Sequence, residues 1–138
     1  MKEDVTVLVH GMQRQPGIGE EQMKTSAPGR YLTKGLTSFV RYEEISEDDG
    51  HRHTTILRME PGRLVMTKKG TVQAQLEFVP GKTTEGRYET PYGTLMLQVT
   101  TNGLSLIENP DDIRVSLQYS LGMDGDLLSE NELEIWIK

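Results

Sequence analysis

Turn signals follow one another about every ten residues along most of this chain, and that spacing limits what it can fold into more than any other feature. They are Asp48-Asp49-Gly50, Pro61-Gly62, Lys69-Gly70, Pro80-Gly81, Pro91-Tyr92-Gly93, Asn102-Gly103, Asn109-Pro110-Asp111 and Asp124-Gly125. Gly and Asn supply positive φ, Pro presets φ for a turn, and Asn-Gly or Asp-Gly favours a tight hairpin. Such spacing leaves room for strands and little for helices.

Between the turns, apolar and polar residues alternate. Val5, Val7 and Val9 share one face. Val72, Ala74, Leu76 and Phe78 share another, with Thr71, Gln73, Gln75 and Glu77 opposite. Leu95, Leu97 and Val99 alternate with polar residues, interrupted by Met96. Ile113, Val115, Leu117, Tyr119 and Leu121 form the longest run, and Leu133, Ile135 and Ile137 close the chain. A period of two marks half-buried strands. Eight or nine strands with short connections predict a single all-β domain over residues 1–138. The expected form is an antiparallel up-and-down barrel, because closure covers the apolar faces and removes free edges. A two-sheet sandwich is the alternative. Residues 13–30, with Pro16-Gly17, Gly19 and Pro28-Gly29, read as an irregular loop with a helical turn around Glu20 to Lys24. That loop is either mobile surface or a lid over one mouth.

Composition removes several functions. The chain has 138 residues, no cysteine and a formal net charge of −6. It therefore has no disulfide, thiolate metal site or cysteine nucleophile. Its acidity disfavours nucleic acid as a partner. No apolar run reaches the roughly 18 residues of a membrane helix, and no signal peptide is evident at Met1 to Asp4. The expectation is a cytoplasmic protein with no membrane partner.

Several stretches together resemble the YwiB-like family of uncharacterised bacterial proteins. They are Tyr42-Glu43-Glu44, Gly70 after a basic pair, Leu76-Glu77-Phe78, Tyr88-Glu89-Thr90-Pro91-Tyr92-Gly93, Tyr119-Ser120-Leu121 and Asn131-Glu132-Leu133-Glu134-Ile135. The resemblance covers the chain from about Tyr31 onward. It implies bacterial origin and a calycin-like, lipocalin-like barrel, and it supplies no activity. Where the family tends to carry Arg two residues before the glycine, this chain has Lys68, which keeps the charge but loses the planar fork. The Gly-x-Trp of true lipocalins is absent near the first strand, the only tryptophan being Trp136.

The candidate chemistry is sparse. His51 and His53, two apart on a strand, would point the same way and could share a metal, but two ligands beside a polar turn read better as solvated histidines. The acidic run Glu43-Glu44 to Glu47-Asp48-Asp49 lacks the spacing of a calcium loop. Val40, Tyr42 and Glu44 share one strand face. If Tyr42 points inward, Glu44 does too, and it then needs a partner or a raised pKa, with Lys68 or Arg58 as the cation. Phe39 and Phe78 are expected to fill the interior. Tyr88, Tyr92, Tyr42 and Tyr119 could line a pocket or serve as core. There is no nucleophile elbow and no phosphate loop.

These residues point to a non-enzymatic barrel without cofactor or metal, binding a small, partly apolar ligand in or at the barrel mouth. The residues to test are Tyr42, Glu44, Lys68, Tyr88, Tyr92 and Tyr119. The alternative is a filled barrel acting as a structural or regulatory interaction module, in homodimeric form.

Overall fold

The computed structural model describes residues 1–45 and 50–138; Ser46 to Asp49, which hold most of the acidic run and of its turn, lie outside the described residues. The described chain forms β1 (Asp4–Gln15), β2 (Gly19–Lys34), β3 (Thr37–Ile45), β4 (Arg52–Glu60), β5 (Arg63–Lys69), β6 (Gln73–Phe78), β7 (Thr83–Thr90), β8 (Gly93–Glu108), β9 (Ile113–Met123) and β10 (Asp126–Ile137). Each strand runs antiparallel to the next. β10 returns to β1, with Val7 opposite Ile137 and His10 opposite Glu134, so the sheet closes. The all-β up-and-down barrel expected from the turn spacing is present, with ten strands rather than eight or nine.

Residues 13–30 are not an irregular loop and hold no helical turn. They are the end of β1, a tight turn and most of β2, in continuous register from Gln15 opposite Gly19 to Asp4 opposite Arg30. Gly17 takes φ 75° in the turn, where Ile18 N–H donates to the Gln15 carbonyl at 3.0 Å. The start of β2 is exposed on both faces. Nothing is buried there, so no alternation is needed, and periodicity cannot reveal the strand.

The interior is packed by inward faces. Phe78, Leu57, Met59, Leu64, Ile113, Leu117, Ile135 and Ile137 are fully buried. Phe78 also meets the Tyr119 ring with centroids 4.7 Å apart. Phe39 does not join them. It shares the outer face of β3 with Arg41 and Glu43, and the Arg58 guanidinium lies over its ring at 5.9 Å. Arg58 therefore points outward, toward Glu60 at 2.7 Å, and is not the partner of Glu44.

The outer wall carries ion pairs. Arg63 donates to Glu60 at 2.8 Å and to Glu77 at 2.7 Å through Nη1 and Nε. Among the described residues no helix is long and apolar enough to cross a membrane.

The barrel has two mouths. The near mouth holds Met1 and Lys138 and the turns after even-numbered strands. The far mouth holds the turns after β1, β5, β7 and β9.

Candidate functional site

One interior row of cross-strand neighbours crosses the barrel from the start of β1 to the far rim at β8. Val5 pairs with Gly29, Gly29 with Tyr42, Tyr42 with Thr55, Thr55 with Lys68, Lys68 with Ala74, Ala74 with Tyr88 and Tyr88 with Leu95. Strands of a closed barrel tilt against its axis, so a row of register neighbours climbs the wall. Exposure follows that climb: Tyr42 is 5% and Thr55 4% accessible, whereas Tyr88 is 37% and Leu95 43% at the rim. Three of the residues expected to line a pocket, Tyr42, Lys68 and Tyr88, thus lie on one interior line.

Glu44 sits two residues beyond Tyr42 on the same inward face of β3, opposite His53 of β4. The hydroxyl of Thr25 donates to Glu44 Oε2 at 3.2 Å. This contact crosses a gap. The ladder between β2 and β3 stops at Gly29 opposite Tyr42. The next residue on β2 is Pro28, which has no N–H to give the ladder. Tyr31 N–H donates toward the N-terminal segment, to the Glu3 carbonyl at 2.7 Å. N–H directions alternate along a strand, so the position where Pro28 lacks its donor faces β3. Beyond it β2 stays with β1, β3 stays with β4, and a Thr25–Glu44 bridge spans the slit between them.

The electrostatics follow from burial. Tyr42 is pushed up to about 12, mainly by burial and further by the negative charge of Glu44, while its hydrogen bond with Thr55 works the other way. Burial holds the Lys68 ammonium below the usual lysine range, and the Glu44 carboxylate partly restores it. The Lys68 side chain is still exposed overall, and that opening to water limits the effect. Among the described residues no ion pair joins Lys68 to Glu44. The two charges attract across the mouth without touching, and each keeps free hydrogen-bonding capacity for a third group.

The opposite wall is also polar. Thr101, Tyr119, Asn131 and Gln13 form a second row by register. Asn131 Nδ2 donates to Ser129 Oγ at 3.0 Å and to the Tyr119 carbonyl at 3.4 Å. Tyr119 is raised to about 12 by burial. The Thr101 hydroxyl, buried on an inward position, has no hydrogen-bond partner among the described residues. A buried orphan hydroxyl is uncommon and marks a place for a water or a ligand atom.

Tyr92 does not belong to this group. It is fully exposed at the tip between β7 and β8, where its N–H donates to Thr90 Oγ1 at 3.1 Å and its ring has nothing opposite. Its place in the Pro91-Tyr92-Gly93 turn explains this, since a turn tip projects beyond the wall. Conversely, Thr25 is not visible in the sequence, because the Pro and Gly residues around it read as a loop, and Thr55 and Thr101 are not, because a strand threonine carries no distinctive signal. His51 is exposed ahead of β4 and His53 is half-buried inside the mouth. Among the described residues no group of three or more metal-ligating side chains forms.

Two concavities with clear volume lie away from the far mouth. One of about 370 Å³ opens at the near mouth beside Leu36, Ser38, Leu104 and Glu108. The other, about 490 Å³, is a groove on the outer wall over Leu8 and Trp136. Volume alone therefore does not point to the far mouth. Converging charge does.

Fold and site together define a closed antiparallel barrel with a packed apolar interior and polar, charged residues gathered inside its far mouth. The chain belongs to the family described as Domain of unknown function (DUF1934), which matches residues 7–135. It is similar to the Uncharacterized beta-barrel protein YwiB of Bacillus subtilis (strain 168), with 24% identity over 122 residues, spanning 88% of this chain and 84% of that protein. The crystal structure of the ywiB protein from Bacillus subtilis superposes with a TM-score of 0.84 at 21% identity, covering 100% of this chain and 94% of that one. The resemblance carried by Tyr42-Glu43-Glu44 and the later motifs is thus a family relationship, and the structural likeness shows a shared fold.

Proposed function

We infer that this barrel is a calycin-like, non-enzymatic binding protein that takes a small, partly apolar ligand at its far mouth. The observation that carries the reading is the Glu44–Lys68 arrangement: opposite charges inside one mouth, attracted but not paired, above a buried Tyr42 phenol. Two charges left apart in a half-desolvated site are costly unless something completes them. The rim residues Tyr88 and Leu95 supply an apolar approach, and the slit at Pro28 offers a side entrance. Fully buried side chains pack the interior, so the ligand is small and held at the end rather than swallowed.

Native mass spectrometry of protein purified from a bacterial host tests this. A stoichiometric mass excess lost on unfolding, and absent from the Glu44→Gln/Lys68→Gln variant, is the expected result. A bare mass in both, with no ligand captured from host extract, overturns it.

A second reading has its own observation. Leu32 and Phe39 face outward on β2 and β3 as register partners, and the Arg58 side chain lies over the Phe39 ring. A filled barrel using that strip as a homodimer contact is the interaction-module reading. A dimer mass that dissociates in Leu32→Glu would support it.

A further inference from the structure

The groove over Leu8 and Trp136 lies on the outer wall, away from the interior row. By register, its outward residues form two rows across β2, β1, β10 and β9. One row runs Ser26, Leu8, Trp136, Arg114; the other runs Lys24, His10, Glu134, Ser116. Leu8 and Trp136 make an apolar floor under a volume of about 490 Å³, within the range of small-molecule sites.

The charge around this floor is unusual for a chain of net charge −6. Arg114 lies over the Trp136 ring at 4.4 Å and Lys138 at 4.1 Å. The indole is fixed, because its Nε1–H donates to Asp112 Oδ2 at 2.9 Å. Asp112 is itself committed, accepting from Asn109 at 2.8 Å and facing Arg114 at 3.5 Å. The one acidic side chain lining the groove, Glu134, accepts from Ser116 Oγ at 2.7 Å, which draws it toward β9. At the other end Lys24 stands beside His10, and among the described residues Lys24 makes no ion pair. A free ammonium thus borders an apolar floor whose aromatic ring is already held flat and polarised by two cations.

We propose that this groove binds a small organic anion with an apolar or aromatic body. The anionic head lies at Lys24 and His10, and the body lies along Leu8 toward Trp136. Charge complementarity selects the head. The floor selects the body, since apolar burial is roughly proportional to area. The site lies outside the barrel and does not depend on the far mouth.

Trp136 is the only tryptophan, so its indole N–H gives a single resonance that reports the groove alone. The experiment is an NMR titration of the ¹⁵N-labelled chain with 4-phenylbutyrate. The neutral 4-phenylbutanol and the cationic 4-phenylbutylamine serve as controls. The expected result is a saturable shift of the Trp136 indole and of the Leu8 and Lys24 amides with the carboxylate. Affinity should be roughly tenfold lower for the alcohol and lower again for the amine, with a similar loss in Lys24→Gln. Equal shifts from acid and alcohol, or no saturable shift, overturn the proposal. Shifts confined to Tyr42, Lys68 and Tyr88 place the probe in the mouth and overturn it as well. An indole shift that grows with protein concentration and no probe puts a second copy of the chain in the groove, with the same consequence.

Discussion

The imidazole of His53 lies so close over Gly70 that a β-carbon at Gly70 would collide with its Nδ1. Gly70 follows the basic pair at the end of β5, and His53 stands opposite Glu44, so this glycine shapes the far mouth by leaving room. Gly70→Ala forces the ring aside, and overpacking of this kind typically costs about 1–3 kcal/mol. Urea denaturation should show that loss, and the His53 ring resonances should move. An unchanged midpoint with unmoved His53 resonances would contradict the close packing.

Alkaline stability follows from the two buried phenols. Tyr42 and Tyr119 both ionise near 12 in the fold against 10.0 ordinarily. The folded state holds these protons more tightly than the unfolded chain. Their contribution is therefore complete below about pH 10 and is lost as pH rises toward about 12. Stability should fall by roughly 1 kcal/mol per pH unit for each phenol in that window. Urea melts over the range, repeated on Tyr42→Phe, should show a shallower fall in the variant.

Lys68 has the opposite sign. Its folded pKa lies below 10.5, so the fold binds that proton less tightly and the charged ammonium is a burden at neutral pH. The burden fades as pH rises through the lowered folded value toward 10.5. Lys68→Met should therefore stabilise the protein at neutral pH, by at most about 1 kcal/mol once solvent screening is allowed for. The gain should shrink near pH 10. The same variant should weaken ligand capture, a trade-off expected where a binding group is kept at some cost in stability.

Phe78 tests the packed interior. It is fully buried and in contact with the Tyr119 ring. Phe78→Ala should cost about 3–5 kcal/mol, the usual penalty for removing a buried aromatic. A loss below about 1 kcal/mol would mean that the interior relaxes around the gap and is looser than its burial indicates.

How much of this is legible in the sequence depends on where water lies. β6, β9 and β10 can be read directly, because one face of each is buried and the other wet, and Leu76, Leu117 and Ile135 alternate with polar residues. β2 cannot, because its first residues project past the barrel and are exposed on both faces. β7 is obscured by Gly86, where a β-carbon would stand 2.6 Å from Leu76 Cδ2, so close packing replaces an apolar side chain there. Parity ties Glu44 to the face of Tyr42, but which face of β3 turns inward is not contained in the local pattern. The same parity places Phe39 outside, although its aromatic character favours the core. Lys68 as the cation near Glu44 is readable, whereas the choice between it and Arg58 depends on register across β4 and β5, which local periodicity does not contain. Tyr92 looks like its neighbour Tyr88 in sequence and is separated from it only by the turn.

The seam between β1 and β10 joins residues from opposite ends of the sequence, down to the reciprocal bonds between Thr6 and Lys138. Every other ladder links neighbours along the chain. Until β10 arrives, the growing sheet has two raw edges, each able to recruit a strand from another molecule. Its last strand therefore acts as a latch: a chain missing β10, or slow to place it, should aggregate rather than persist as a smaller barrel.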